Sequence, residues 1–215
     1  MKQKEVNKKE RIYQENNLFF ELNESDLTAK LIESPQAKGS ILIPKSITIN
    51  SCIFQITSIG KNSFKSNSNI RSITFPKDSE LKNIEGEAFY ESSLTSLFIP
   101  SKVQELNEGW CRGTSSLINI TVSPQNKYFS YIDDKFLVST DKCILFFVRR
   151  DIKTLIIPSY IKQIASDSIS YCQTLKTVQF QQDVNIFSIE KRAFSYSLLE
   201  SISIPLSVVK IEDSA

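Results

Sequence analysis

Histidine is absent from the 215 residues of this chain, and glycine, methionine and tryptophan are rare, at five, one and one residues. Without histidine there can be no Ser–His–Asp or Cys–His catalytic arrangement. The glycines are isolated from one another, which excludes a glycine-rich phosphate-binding loop. No Cys-x-x-Cys pair occurs, so we expect neither a metal site nor a cofactor. These absences predict that the protein is not an enzyme.

The four cysteines, Cys52, Cys111, Cys143 and Cys172, lie far apart in the sequence. We expect small buried or half-buried thiols at these positions, because free cysteine packs as a small apolar side chain. A disulfide is the alternative, since two repeats could bring distant cysteines together.

An excess of one charge is also lacking. The formal net charge is +2 and Lys and Arg are spread along the chain, so no phosphate-neutralising face, and hence no nucleic-acid partner, is expected. The longest apolar runs, such as residues 143–148, are far shorter than the roughly 20 residues of a membrane span. Residues 1–11 are charged and lack the apolar stretch of a secretory signal, and we predict a disordered tail there.

What the sequence does contain is an internal repeat. A short apolar strand followed by proline recurs at residues 41–44, 73–76, 97–100, 155–158 and 202–205, with weaker copies at 120–124 and 178–181. Gln181 replaces the proline in one weaker copy. Pro76, Pro100 and Pro124 are spaced by 24 residues, and two other steps are longer and leave room for insertions.

The third copy shows why such a segment must stack on others. Leu97 and Ile99 point to one face of a strand and Phe98 to the other, and Pro100 lacks the N–H that would continue the ladder. The apolar residues that follow, ending at Trp110, bring the chain back onto the core. One coil buries too little apolar surface to fold alone, whereas stacked coils bury each other's faces. The pattern predicts a solenoid whose strands form one parallel sheet.

The repeat, Leu-x-x-Ile-x-Ile-Pro-x-x-Val-x-x-Ile-x-x-x-x-Phe, resembles the BspA-type leucine-rich repeat over roughly residues 39–215. The clearest matches are residues 55–64, 94–103 and 199–208. The resemblance implies a right-handed solenoid with a curved parallel sheet and short return strands or helical turns. The chain departs from the family pattern at Gln181, at Trp110, which stands one position early, and in its few glycines.

Two segments lie outside the regular coils. Residues 12–38 carry alternating apolar residues on both sides of a turn-prone stretch, which predicts a β-hairpin that caps the first coil. The insertion at residues 125–151 resembles a hairpin that recurs in the family, and we expect it to pack beside the solenoid. The solenoid itself is assigned to residues 39–215. Because no cap is visible in the last coil, we expect the repeats to continue beyond residue 215.

The outward face of the proline-terminated strands is the candidate binding surface. Aligned copies place small polar side chains in a first column, made of Ser40, Ser72, Ser96, Asn119, Thr154, Thr177 and Ser201. The second column is more varied and consists of Leu42, Thr74, Phe98, Thr121, Ile156, Gln179 and Ser203. Hydroxyl groups can satisfy one another along a sheet, which is a structural explanation of the first column. The apolar Leu42, Phe98 and Ile156 are better candidates for partner contact.

The family resemblance implies an interaction protein related to surface antigens and adhesins, with an extended protein or glycan as ligand. An intracellular protein scaffold is one alternative, because no signal peptide or membrane span is visible. A polysaccharide-active parallel β-helix is another, since such enzymes can work without histidine. Asp133 and Asp134 could serve acid–base chemistry, but adjacent acids in a loop are more typical of a solvated turn. We expect a cell-surface location if the chain is part of a longer protein, and the cytoplasm otherwise.

Overall fold

The computed structural model describes residues 11–215, so the tail predicted at residues 1–11 lies outside it except for Arg11. In chain order the strands are β1 (Arg11–Glu15), β2 (Leu18–Asn23), β3 (Thr28–Ile32), β4 (Gly39–Leu42), β5 (Ser46–Ile49), β6 (Cys52–Ile59), β7 (Ile70–Thr74), β8 (Asn83–Ile84), β9 (Ser96–Ile99), β10 (Glu105–Leu106), β11 (Asn119–Val122), β12 (Phe129–Ile132), β13 (Phe136–Ser139), β14 (Ile144–Val148), β15 (Thr154–Ile157), β16 (Gln163–Ile164), β17 (Thr177–Phe180), β18 (Ser188–Ile189) and β19 (Lys210–Ile211). No helix occurs between residues 11 and 215, so tight turns stand where the family resemblance allowed helical ones.

The proline-terminated strands stack in parallel, as the repeat predicts. β4, β7, β9 and β11 form one sheet, in which Ile73 lies opposite Ile41 and Leu97, and Ile120 lies opposite Leu97. These four side chains are at most 9% exposed. They form the buried row that alternating apolar residues produce in a strand with one face in the core. A solenoid with parallel sheets is therefore confirmed.

The prediction of one continuous sheet is wrong. β15 and β17 form a separate two-stranded sheet, in which Leu155 pairs with Val178. The seventh copy, residues 201–204, forms no strand. Ile202 is only partly buried against the core, and Ile204 is 39% exposed. With so little apolar burial, this copy lacks the packing that fixes the strands of the inner coils.

Short return strands make the second side of each coil. β3, β6, β8 and β10 are successive neighbours in one sheet, and β14, β16, β18 and β19 in another. Two carbonyls of each coil, two residues apart, accept hydrogen bonds from the next coil: Lys162 O accepts from Phe187 and Ile164 O from Glu190, both at 2.9 Å. This ladder satisfies backbone groups that would otherwise be buried without partners. It is interrupted once inside the solenoid, after β10.

The third side of each coil is a tight turn with two positive-φ residues four positions apart. The pairs are Asn62 and Ser66, Glu87 and Glu91, Gly109 and Gly113, Asp167 and Tyr171, and Arg192 and Tyr196. Only one pair consists of glycine, although this backbone region is sterically costly for other residues. Hydrogen bonds between successive turns, such as Phe89 N to Trp110 O at 3.0 Å, hold the strained residues in place. The stacking therefore lets the chain form these turns with few glycines.

Trp110 stands one position earlier than the aromatic residue of the other coils, because the large and the small side chain have exchanged positions in its coil. The Phe89 N–H donates to Trp110 O at the place where the Phe64 N–H donates to Ala88 O, so Trp110 lies in an alanine column. Cys111 consequently takes the column of the aromatic rings. The indole packs against the insertion, where its ring centroid lies 6.2 Å from that of Phe147.

The N-terminal segment has three strands rather than two. β2 and β3 make the expected antiparallel hairpin, and β1 pairs with the other edge of β2 through a turn at Asn16 and Asn17, both at positive φ. β3 then pairs in parallel with β6, and Phe20 and Leu31 are fully buried. The segment thus extends the sheet of the return strands β6, β8 and β10 at one end of the solenoid.

The first long step between prolines contains a hairpin that sequence reasoning missed. β5 and β6 are antiparallel, and Asn50 and Ser51, both at positive φ, join them. The signal was present in the sequence, because alternating apolar residues flank a two-residue turn that begins with asparagine.

The insertion at residues 125–151 is a meander of β12, β13 and β14. Asp133 and Asp134, both at positive φ and exposed, form the tight turn between β12 and β13. The expectation that the insertion packs beside the solenoid needs correction, because Ile144 and Leu145 of β14 pair in parallel with β16. All three strands of the insertion therefore belong to the sheet of the return strands β16, β18 and β19, which they join through β14.

A buried arginine joins the coils on either side of the insertion. Arg150 is 2% exposed, and its Nη1 donates to Ser168 O at 2.9 Å and its Nη2 to Asp167 O at 3.2 Å. The same nitrogens contact the sulfur atoms of Cys172 and Cys111 at 3.7 and 3.6 Å. Both carbonyls also accept from the backbone, Ser168 O from the Val148 N–H at 2.9 Å and Asp167 O from the Ser170 N–H at 3.2 Å. The guanidinium thus adds charged donors to carbonyls that already accept from the backbone, and it links two coils through the contacts with Cys111 and Ser168.

Replacing Arg150 with methionine should lower the free energy of unfolding by about 3 kcal/mol, because two buried carbonyls lose charged donors. Arg149→Met is the matched control: Arg149 forms ion pairs with partly exposed aspartates, and its loss should cost less than about 1 kcal/mol. Urea unfolding of both variants measures the difference. Equal losses, or an unchanged stability of Arg150→Met, would show that the guanidinium does not bridge the coils.

Candidate binding surface

The outward side chains of the proline-terminated strands form the predicted columns over six strands. In the four-stranded sheet the first column pairs Ser40 with Ser72, Ser72 with Ser96, and Ser96 with Asn119. In the two-stranded sheet the pairs are Thr154 with Thr177 and Ile156 with Gln179. All of these side chains are exposed or half-buried. The structure therefore brings the candidate residues together as two separate patches, one on each sheet.

Two apolar side chains stand out on this face. Leu42, which lies opposite Thr74, is 62% exposed, and Ile156 is 48% exposed. Phe98, opposite Thr121, is only half-buried and packs against the core. Leu42 and Ile156 thus expose apolar surface to solvent, whereas Phe98 has a structural role.

The predicted columns do not reach the last copy of the repeat. Ser201 and Ser203 are exposed, but they lie in the non-strand segment 201–204 and form no ladder with β17. The weak apolar burial of this copy leaves its backbone outside the sheet. The face therefore ends at Thr177 and Gln179.

Mutual hydrogen bonding does not explain the column of small polar residues. Between residues 11 and 215, no side-chain hydrogen bond joins one member of the first column to another, and in the second column Thr74 Oγ1 donates to Ile41 O at 3.4 Å. The hydroxyl groups of the first column can both donate and accept. They are therefore open to water or to a ligand.

A small cleft of about 220 Å³ adjoins Leu42. The β1–β2 turn, with Glu15 and Asn16, lines it together with Pro44. Sequence reasoning did not place these residues at the surface, because β1 was not predicted and the contact joins residues distant in sequence. The cleft extends the apolar end of the face toward the N-terminal segment.

The carboxylates and cysteines offer little chemistry. Asp134, on the tight turn of the insertion, pairs with Arg149 at 2.8 Å. No cluster of three potential metal ligands occurs in the described part of the chain, and none of its segments forms a helix able to cross a membrane. All four cysteines are free, and burial raises the pKa of the Cys111 thiol to about 12 and also raises the pKa of Cys172. A reactive thiol needs a lowered pKa, so these two are structural.

Comparison with known proteins identifies the family. A sequence profile of the BspA type leucine-rich repeat region matches residues 43–143 and 142–215, with six copies of the repeat. The chain belongs to this family, in agreement with the resemblance found in the sequence. A search of curated proteins returned no match.

Solved structures support the same conclusion. A leucine-rich cell surface protein from Faecalibacterium prausnitzii is 26% identical, with a TM-score of 0.58 over 94% of this chain and 50% of its own. A leucine-rich repeat protein from Eubacterium ventriosum is 19% identical and shares the fold, with a TM-score of 0.61 over 92% of this chain and 66% of its own. The chain thus spans half of the first protein and about two thirds of the second.

Alkylation should separate the cysteines by their environment. In the native protein at pH 8, iodoacetamide should label the exposed Cys52 and leave Cys111 and Cys172 unmodified, because burial keeps both thiols protonated and inaccessible. Labelling in urea, followed by mass spectrometry, should then modify all four. Rapid native labelling of Cys111 would contradict its placement beside Arg150.

Proposed function

We propose that the chain is a non-catalytic interaction module of the surface-antigen type, which binds an extended protein on the outward face of its two proline-terminated sheets. The observation that carries the proposal is the exposure of Leu42 and Ile156 on a face of otherwise mostly small polar side chains. Contact with a partner would remove these side chains from water, which favours binding by roughly 25 cal/mol for each Å² of apolar surface.

The chemistry of the face favours protein or neutral glycan over nucleic acid. The two columns contain no charged side chain, whereas binding to phosphate depends on Lys and Arg. In protein interfaces a few buried side chains supply most of the energy, and Leu42 and Ile156 would have that role here, with the hydroxyl and amide groups donating and accepting hydrogen bonds around them. A rigid ladder of parallel strands holds these groups at fixed spacing.

A cell-surface location is part of the proposal. The relative from Faecalibacterium prausnitzii, 26% identical to this chain, is described as a cell surface protein. An exposed binding face on a repeat scaffold is consistent with display toward proteins outside the cell. The intracellular scaffold remains the alternative, and localisation of the protein in its own cells distinguishes the two.

The test is binding of the purified chain to a panel of immobilised matrix and serum proteins, measured by biolayer interferometry. We expect at least one protein to bind, and the Leu42→Asp, Ile156→Asp variant to bind it at least about tenfold more weakly, because both charges would be buried in the interface. Phe98 is left unchanged, since its contact with the core would confuse loss of binding with loss of stability.

The matched control carries the same change at exposed apolar residues away from this face. Ile53 is 52% exposed on β6, and Phe187, just before β18, is 46% exposed. The Ile53→Asp, Phe187→Asp variant should bind as the wild type does. Unchanged binding by the sheet-face variant, or equal losses in both variants, would remove the sheet face as the binding site.

A further inference from the structure

The return strands form two sheets, and the break between them, after β10, leaves an open strand edge inside the solenoid. In regular coils a return-strand carbonyl accepts from the next coil, as Ile59 O does from Glu85 at 2.9 Å. The equivalent carbonyls of the β10 coil are Gln104 O and Leu106 O, and no N–H within the described range 11–215 bonds to either one. Gln104 and Glu105 are exposed, so the edge is accessible from solvent. An unpaired edge is a template for another strand.

A basic cleft lies at the N-terminal end of this edge. It has a volume of about 470 Å³ and is lined by Gln104, Lys82, Lys102, Lys127 and the exposed ring of Tyr128. Lys102 already forms an ion pair with Glu80 at 2.6 Å. In the described part of the chain no ion pair involves Lys82 or Lys127. Two lysines are therefore available to a carboxylate.

An acidic and aromatic cleft lies at the other end of the edge. It measures about 290 Å³, and Leu106, Trp110 and Phe146 give it an apolar lining beside the carboxylates of Glu108, Glu190 and Glu212. No Lys or Arg lines it. Its glutamates also have partners within the fold, such as Arg192 at 3.0 Å from Glu108. Its attraction for a cation is therefore weaker than that of the lysine cleft for an anion.

The geometry points to a peptide site. We propose that β10 accepts an extended segment of a partner protein as an added strand, with acidic side chains in the lysine cleft and a basic side chain in the cleft of Glu108. The added strand runs parallel to β10 in this proposal, as β8 does on the other edge of β10 and as β14, β16 and β18 do with one another in the other sheet of return strands. The acidic residues therefore come first in the peptide. Main-chain hydrogen bonds supply affinity in this mode and the side-chain clefts supply selectivity.

This site is independent of the sheet face. The two surfaces are formed by different strands, and the Leu42→Asp, Ile156→Asp variant leaves β10 and both clefts unchanged. Failure of one proposal therefore does not imply failure of the other.

Three synthetic decapeptides test the proposal. The first has Asp in its first half, a Thr–Val centre and Lys in its second half, and the second reverses the order of the charges. The third keeps the first sequence but is N-methylated at alternate central residues, which removes the N–H donors. Fluorescence anisotropy with the full chain should show binding of the first, about tenfold weaker binding of the second, and none of the third.

Charge-reversal variants locate the site. Lys82→Glu, Lys127→Glu should weaken binding of the first peptide at least about tenfold, because like charges then meet in the basic cleft. Lys153→Glu, Lys176→Glu makes the same charge change at exposed lysines beside the sheet face, and should leave binding within about twofold.

The same peptides define what would overturn the proposal. Undiminished binding of the N-methylated peptide would exclude strand addition, and equal binding of the two charge orders would exclude the orientation. No binding of the first peptide, or equal weakening by both lysine pairs, would exclude a peptide site at β10.

Discussion

Each coil of this chain offers carbonyl oxygens to the N–H groups of the next. Ile164 O accepts from Glu190 and Ile189 O from Glu212, both at 2.9 Å. A coil that supplies only a few apolar side chains cannot compensate for the entropy of ordering its backbone, so its structure depends on neighbours in register. The same dependence explains the turns on the third side, where residues such as Glu87 and Tyr171 keep a positive φ.

The insertion at residues 125–151 shows what happens when register is lost. Both parallel sheets are interrupted there. On the turn side Arg150 adds side-chain donors to Ser168 O and Asp167 O, and Arg192 contacts both Asp167 and Glu108, which lie in coils on opposite sides of the insertion. On the return-strand side no residue from 11 to 215 supplies donors to Gln104 O and Leu106 O, and β10 keeps an open edge. The side-chain contacts across the insertion on one side and the open edge on the other both arise at one interruption.

The two proposed surfaces follow from different properties of the solenoid. The sheet face is a product of regularity, because each proline-terminated strand adds one more outward pair of side chains. The edge at β10 is a product of irregularity, because it exists only where the insertion breaks the ladder. A repeat scaffold can thus present an extended, mainly polar face and a local peptide site without enclosing a deep cavity.

Sequence reasoning succeeded wherever the signal was local and repeated. The spacing of the prolines predicted the buried row of Ile73, Leu97 and Ile120, because alternation along a strand determines which side chains face the core. The family followed from the same pattern. The split between β11 and β15 was not predictable in this way, since it depends on how the insertion packs against distant coils.

The sheet-face columns were predicted from the sequence, but the clefts beside β10 were not, because only the columns follow from a local, repeated pattern. The columns containing Leu42 and Ile156 come directly from aligned repeats, and the structure places both side chains in solvent. The half-burial of Phe98 and the clefts beside β10 depend on contacts between segments far apart in the sequence. The burial of Arg150 was the least predictable feature. Arg150 stands between Arg149 and Asp151 in the sequence, and nothing in this charged segment indicates which arginine is buried.

Amide hydrogen exchange of the full chain, followed by NMR, tests the stacking of coils most directly. The amides of Asn107, Ala165 and Glu190 each donate to the preceding strand of the return-strand ladder, and we predict that they exchange only when the solenoid unfolds, whereas the turn amide of Asp134 exchanges rapidly. Exchange of all three inter-coil amides at the rate of that turn would contradict the account.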